Sequence, residues 1–250
     1  MEVQVRPSRK IIEISVFRNA DGRCQNRVMR KLLSLLPLLM LAAAQSLIHA
    51  QSVNARQIAE AVDRHYNDLQ TLQTQFTETY RGAGMQREES GTLWLKKPGK
   101  MRWEYASPRE KLFVSDGKIA WFYVPGESRV QKAPVSKIDD LRSPLRFLLG
   151  KTKLDKELNG LSIAPDVTPI SAENVVLRGV PRQMQDRISQ VLLEITPDHR
   201  IARLSIDETD GSVTEFQFRD QHENVAVNEQ RFRFSPPAGV EVVDAQGLGD

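Results

Sequence analysis

From Gly91 to Tyr105, large apolar side chains recur at every second position. Leu93 and Leu95 precede Pro98-Gly99, and Met101, Trp103 and Tyr105 follow it. A period of two is the period of a strand. Met101, Trp103 and Tyr105 therefore share one face, and Arg102 and Glu104 take the other. If the register continues through Pro98-Gly99, the first face also carries Leu93, Leu95 and Lys97. A packed core and the wall of an oily cavity both need such a face, and alternation alone does not choose between them.

The surrounding chain carries the same signals. Strand patterns at residues 72–80, 90–96, 100–105, 111–114, 118–124 and 129–133 are separated by Gly82-Ala83-Gly84, Pro98-Gly99, Ser107-Pro108 and Asp116-Gly117. Asp-Gly between apolar runs predicts a tight hairpin with both central residues at positive φ. Further strands are expected at 175–177, 190–195, 201–207, 213–219 and 231–234, with turns at Pro197-Asp198, Asp210-Gly211 and 222–224. Residues 165–169 read as a loop. Two helices interrupt the pattern. Residues 54–69 place Ile58, Val62, Tyr66 and Leu69 on one stripe, with Asn54 as N-cap. Residues 143–150 have Ser143 at N-cap, Pro144 at N1 and Gly150 past the end. Residues 151–158 are expected to continue helically. The sum is a mainly β chain with helices, forming one large antiparallel sheet or open barrel.

The N-terminal part bears on compartment. Met29, Arg30 and Lys31 form a short basic region, residues 32–44 are apolar but for Ser34 and Pro37, and Ala50-Gln51 is a cleavage point. This is the shape of a secretory signal peptide at 29–50. An apolar run of about 13 residues is too short to span a bilayer. Residues 1–28 are expected to be an upstream over-extension of the reading frame or an N-terminal extension, and residues 51–250 a single domain. The first 50 residues hold 8 of the 35 basic and 3 of the 32 acidic residues, which leaves 27 against 29 and a net charge of −2. The overall basicity thus belongs to the leader, and a nucleic-acid partner loses its support. The single cysteine, Cys24, is also upstream, so the domain has neither disulfides nor thiol chemistry. No cysteine stands at the cleavage point to receive a lipid.

Enzymatic signatures are absent. His65, His199 and His222 have no metal-ligand spacing, and no nucleophile elbow, phosphate loop or dinucleotide fingerprint occurs. The acidic pairs Glu88-Glu89, Asp139-Asp140 and Asp207-Glu208 are adjacent residues, best read as turns or solvated faces. An exported hydrolase built from side chains that converge in space is the alternative from another functional class.

The order of motifs resembles one family. A secretory leader and a helix precede G-x-L-W-L-K-K-P-x-x-x-R-W-E-Y (Gly91 to Tyr105) and S-D-G-K-x-x-W-F-Y-x-P (Ser115 to Pro125). A short apolar helix follows, then F-x-F-x-P-P-A-G-V (Phe232 to Val240). Over residues 53–244 the chain is similar to the periplasmic outer-membrane lipoprotein carriers, the LolA family. The resemblance implies an incomplete, strongly curved antiparallel β-barrel (a half-barrel) with a helical lid, no catalysis, no cofactor or metal, and a monomer. It implies that acylated lipoproteins are taken from an inner-membrane ABC transporter complex and passed to an outer-membrane lipoprotein acceptor. The expected lipid-binding residues are Leu93, Leu95, Met101, Trp103 and Tyr105 on the sheet and Leu145, Phe147 and Leu148 on a movable lid helix at 143–150. The family has Arg where Lys97 precedes Pro98, with a role in tying the lid to the barrel. Lys97 is therefore the expected lid-control residue, with a less specific grip than guanidinium. The same fold also serves lipid- or glycolipid-binding transporters and sensors, the second reading.

Overall fold

The computed structural model describes residues 55–135 and 153–244. The leader, Asn54 and the expected lid helix at 143–150 lie outside the described residues.

Helix α1 covers residues 55–68. It buries Ala55, Ala59, Val62 and Tyr66, with Leu69 just past its end, at spacings of four and three. The buried stripe is thus rotated from the expected one, and Ile58 is only partly covered. Six strands follow as a meander: β1 (Thr71–Gly82), β2 (Met85–Lys96), β3 (Lys100–Ser107), β4 (Lys111–Asp116), β5 (Ile119–Tyr123) and β6 (Arg129–Pro134). A single turn of helix, α2 (Leu154–Glu157), leads into β7 (Leu158–Ile163), β8 (Val175–Pro181), β9 (Ile188–Ile195), β10 (Ile201–Glu208) and β11 (Val213–Glu223). A 3-10 turn, η1 (Glu229–Phe232), and β12 (Glu241–Asp244) end the described chain.

The strands form one sheet in the order β12-β6-β5-β4-β3-β2-β1-β11-β10-β9-β8-β7. Two antiparallel meanders are joined where β1 pairs with β11. Among the described residues β7 and β12 are not paired with each other, so the sheet is an unclosed half-barrel. One pairing departs from the antiparallel expectation: β12 runs parallel to β6. The chain leaves β11, crosses the outer face of the first meander and reaches the far edge, and a crossover of that kind delivers a parallel strand.

The crossing segment corrects another expectation. The sequence pattern predicts a strand over residues 231–234, but Glu229–Phe232 is a 3-10 turn capped by Asn228, whose side chain accepts from the Gln230 N–H. Its side chains are committed to the sheet face rather than to strand neighbours. Arg231 stacks over Trp94 at 4.3 Å. Phe234 packs on Trp121 and Tyr123 with centroids 5.6 and 5.7 Å away. Glu229 bridges Lys96 at 2.7 Å and also pairs with Lys100.

Local turn chemistry differs in two places. At Asp116-Gly117 only Gly117 has positive φ, because Asp116 Oδ1 accepts from the Lys118 and Ile119 N–H groups and organises the turn instead. The two-residue turn with both residues at positive φ is Ala83-Gly84, at 50° and 75°. Helical continuation through residue 158 is also corrected: α2 stops at Glu157, and Leu158 begins β7. Strand β11 extends to Glu223, so of the turn expected at 222–224 only Asn224 lies beyond the strand, at φ 53°; Asp220 stands at φ 52° beside a bulge against β1.

Candidate functional site

The inner face of the sheet, the one α1 covers, is graded along its strands. Between β1 and β2 the facing pairs run Leu72/Leu95, Thr74/Leu93, Phe76/Gly91, Glu78/Glu89 and Tyr80/Arg87. The face is thus apolar beside the C-terminal end of α1 and charged toward the Ala83-Gly84 hairpin. On β3 the file continues with Met101, Trp103 and Tyr105, opposite Leu95, Leu93 and Gly91. On β4 Phe113 faces Trp103 and Lys111 faces Tyr105.

The apolar part is an aromatic floor. Trp103 is 1% exposed. Its ring lies 4.7 Å from Phe76, 5.8 Å from Phe216 and 6.5 Å from Tyr105. Gly91 makes room for this cluster. A Cβ there would stand 1.9 Å from the Glu104 carbonyl oxygen, and the rings of its two cross-strand partners, Phe76 and Tyr105, meet edge to face at 4.9 Å. Leu93 and Leu95 are buried, while Met101 and Tyr105 pack partly buried against the core. The structure therefore gathers all five sheet residues singled out from the sequence onto one face, in contact with the core beneath α1. Leu145, Phe147 and Leu148 lie outside the described residues.

Next comes a polar border. The Tyr105 hydroxyl donates to Glu78 at 2.8 Å. Lys111 Nζ lies 2.6 Å from Glu89 and 4.3 Å above the Tyr105 ring. These contacts offset the placing of two carboxylates, Glu78 and Glu89, directly opposite each other. Beyond the border is a cavity of about 510 Å³, lined by Arg87, Arg109, Lys111 and Arg129 with Glu89 and Glu127. Phe122, Val124 and Val243 form its apolar side. From the sequence, open space is expected on the oily part of this face. In the described residues the rings of that part pack against one another, and this cavity is charged. Lys111 and Glu89 were missed, although alternation from Phe113 and Leu93 puts both on the inner face.

Lys97 stands at the opposite end. Its Nζ donates to the Tyr66 and Asn67 carbonyls at 2.6 and 2.7 Å, and its N–H to the Gln70 carbonyl at 2.9 Å. A cation on the last carbonyls of a helix satisfies orphan acceptors and opposes the negative end of the dipole. Lys97 therefore ties the C-terminal end of α1 to the end of β2. Tyr66 adds a second tie: the Ile201 N–H donates to its hydroxyl at 2.9 Å, and burial pushes that hydroxyl's pKa well up. A third contact joins α1 to α2, where the Leu154 N–H donates to both Asp63 oxygens at 3.0 and 3.2 Å. Burial raises the Asp63 pKa to about 6 despite that hydrogen bond.

His65 Nε2 lies 2.9 Å from Glu223, and His199 occupies a turn at φ 66°. Among the described residues no three His, Cys, Asp or Glu side chains are grouped to hold a metal ion.

A family model described as outer membrane lipoprotein carrier protein LolA matches residues 67–235. The outer-membrane lipoprotein carrier protein of Alkalilimnicola ehrlichii is 32% identical over 199 residues, covering 78% of this chain and 88% of that relative. Its counterpart in Chromobacterium violaceum is 30% identical over 176 residues, 69% of this chain and 81% of that relative. The one from Nitrosospira multiformis is 28% identical over 180 residues, with coverages of 70% and 83%.

Proposed function

The chain belongs to the LolA family of outer-membrane lipoprotein carrier proteins, and from that premise we propose that it holds lipoprotein acyl chains between α1 and the inner face of the sheet. The family is one of carriers rather than enzymes, and the cargo is lipoprotein. On this reading the protein works in the periplasm. It receives cargo from an inner-membrane ABC transporter complex and hands it to an outer-membrane acceptor.

The observation that carries the reading is a continuous aromatic floor roofed by a helix that is anchored at one end. Each acyl methylene taken out of water is worth about 0.8 kcal/mol, so a long-chain anchor leaves a membrane only for another dry surface. Leu93, Leu95, Met101, Trp103 and Tyr105 offer that surface, and Met and aromatic side chains adapt to chains of irregular shape. The roof is built to part. Ahead of Tyr66, α1 contributes only Ala55, Ala59 and Val62 to the buried core, and small side chains lose little apolar contact when lifted. The C-terminal half is held by Tyr66 and by the Lys97 ties. Lys97 thus acts as the hinge pin of α1, with Leu145, Phe147 and Leu148 assigned to the second wall.

The test is purification of the exported protein from periplasm followed by mass spectrometry of bound species. Triacylated lipoproteins are the expected cargo, and Trp103→Glu should abolish their recovery. Recovery of free glycolipid in their place, or of no acylated species, overturns the assignment.

A further inference from the structure

Among the described residues, Trp103 Nε1 is buried and has no hydrogen-bond partner. A buried, unpaired indole N–H weakens the folded protein, because the donor has lost water and gained nothing. Its neighbours explain the omission only in part. Phe76 and Phe216 offer ring faces and edges, and Tyr105 gives its hydroxyl to Glu78. Phenylalanine at position 103 would fill the same aromatic floor without leaving a donor stranded.

The position of this donor is informative. Trp103 lies one cross-strand pair inward from Tyr105 and Lys111, where the apolar floor gives way to the charged cavity of about 510 Å³. A ligand lying along the inner face with its chains on the floor and its polar portion in the cavity crosses the border at Tyr105 and Lys111, and the first group on the floor side of that border is Trp103. In an acylated polypeptide the atoms at that crossing are carbonyl oxygens: the ester and amide groups that join the chains to the peptide. They are acceptors without acidic protons, too polar for the floor and too deep for water.

We propose that Trp103 Nε1 is the donor that engages an acyl-ester carbonyl oxygen of the bound ligand, one same-face position inside the border between the aromatic floor and the charged cavity. The inference rests on the carrier reading and adds to it a recognition chemistry. The protein selects ester-linked chains over chains of equal length without a carbonyl. The empty protein bears the cost of the stranded donor, and the ligand relieves it.

The experiment compares two synthetic lipopeptides with the same short peptide and two sixteen-carbon chains, one joined through esters and the other through ethers. Binding to the full domain is read by displacement of a fluorescent fatty acid. The wild type is expected to favour the ester form by about three- to tenfold, the effect of one net hydrogen bond. Trp103→Phe is expected to bind the two forms equally while its thermal midpoint equals or exceeds that of the wild type. In the wild type the Trp103 indole ¹H–¹⁵N resonance should shift downfield with the ester form and not with the ether form, a readout that does not depend on the variant folding. Equal binding of both forms by the wild type, or an indole resonance that responds alike to both, overturns the inference and leaves the carrier reading standing. Failure of the wild type to bind either lipopeptide removes the carrier reading itself.

Discussion

Two single residues set the terms on which the inner face is covered. Lys97 donates to two consecutive carbonyls at the end of α1. Lys97→Ala leaves those acceptors to water and is expected to cost about 1–2 kcal/mol by urea denaturation. Lys97→Arg should recover most of that, since guanidinium can serve the same carbonyls. If Lys97→Ala unfolds at the wild-type urea concentration, the tie has no energetic weight. Gly91 acts through what it lacks. Its α-carbon faces the Glu104 carbonyl so closely that a methyl group would collide with backbone, which cannot turn aside as a side chain can. Gly91→Ala is expected to lose about 2–3 kcal/mol and to disturb the Phe76–Tyr105 contact. A near-ultraviolet circular dichroism spectrum identical to the wild type would contradict this.

At the scale of elements, the contact between α1 and α2 is sensitive to pH. Asp63 accepts the first free N–H of α2, yet burial raises its pKa from 3.8 to about 6. The folded state therefore binds the proton more tightly than the unfolded state. Between roughly pH 4 and pH 6 the folded chain carries more protons, and the stability from this group falls as pH rises through that window. The full benefit is present below the unfolded value and is gone above about 6. Asp63→Asn should remove this component, so the difference in urea midpoint between variant and wild type should change between about pH 4 and pH 6 and level off outside that range. A constant difference would mean that Asp63 titrates normally. The C-terminal segment is a second element whose role depends on packing. Its 3-10 turn and Phe234 cover Trp94, Trp121 and Tyr123 on the outer face, which leaves the inner face as the one open to other uses.

For the whole molecule, stability should be highest where the two meanders meet. Strand β1 is paired along its length on both sides, to β2 and β11, whereas β7 and β12 each have one neighbour in the sheet. Amides of β1 are expected to exchange with deuterium last and those of β12 first. Equal protection of the two would show that the edges are secured by something other than this sheet. Much of this architecture could be read along the chain, because period and punctuation are local properties. Alternation from Leu93 to Tyr105 put five side chains on one face, and Gly and Pro marked most strand ends. The shared face of Lys111 and Glu89 was equally available from the register of Phe113 and Leu93. Other features depend on residues far apart in sequence. The 3-10 turn at residues 229–232 forms because Trp94 and two lysines await it on the sheet. Lys97 becomes a helix cap because Tyr66 and Asn67 end α1 beside it. Whether the aromatic face is filled or hollow turns on how closely Phe76, Trp103 and Phe216 approach across three strands. Such distances follow from sheet curvature and from the fit of side chains contributed by distant segments, which no local pattern encodes.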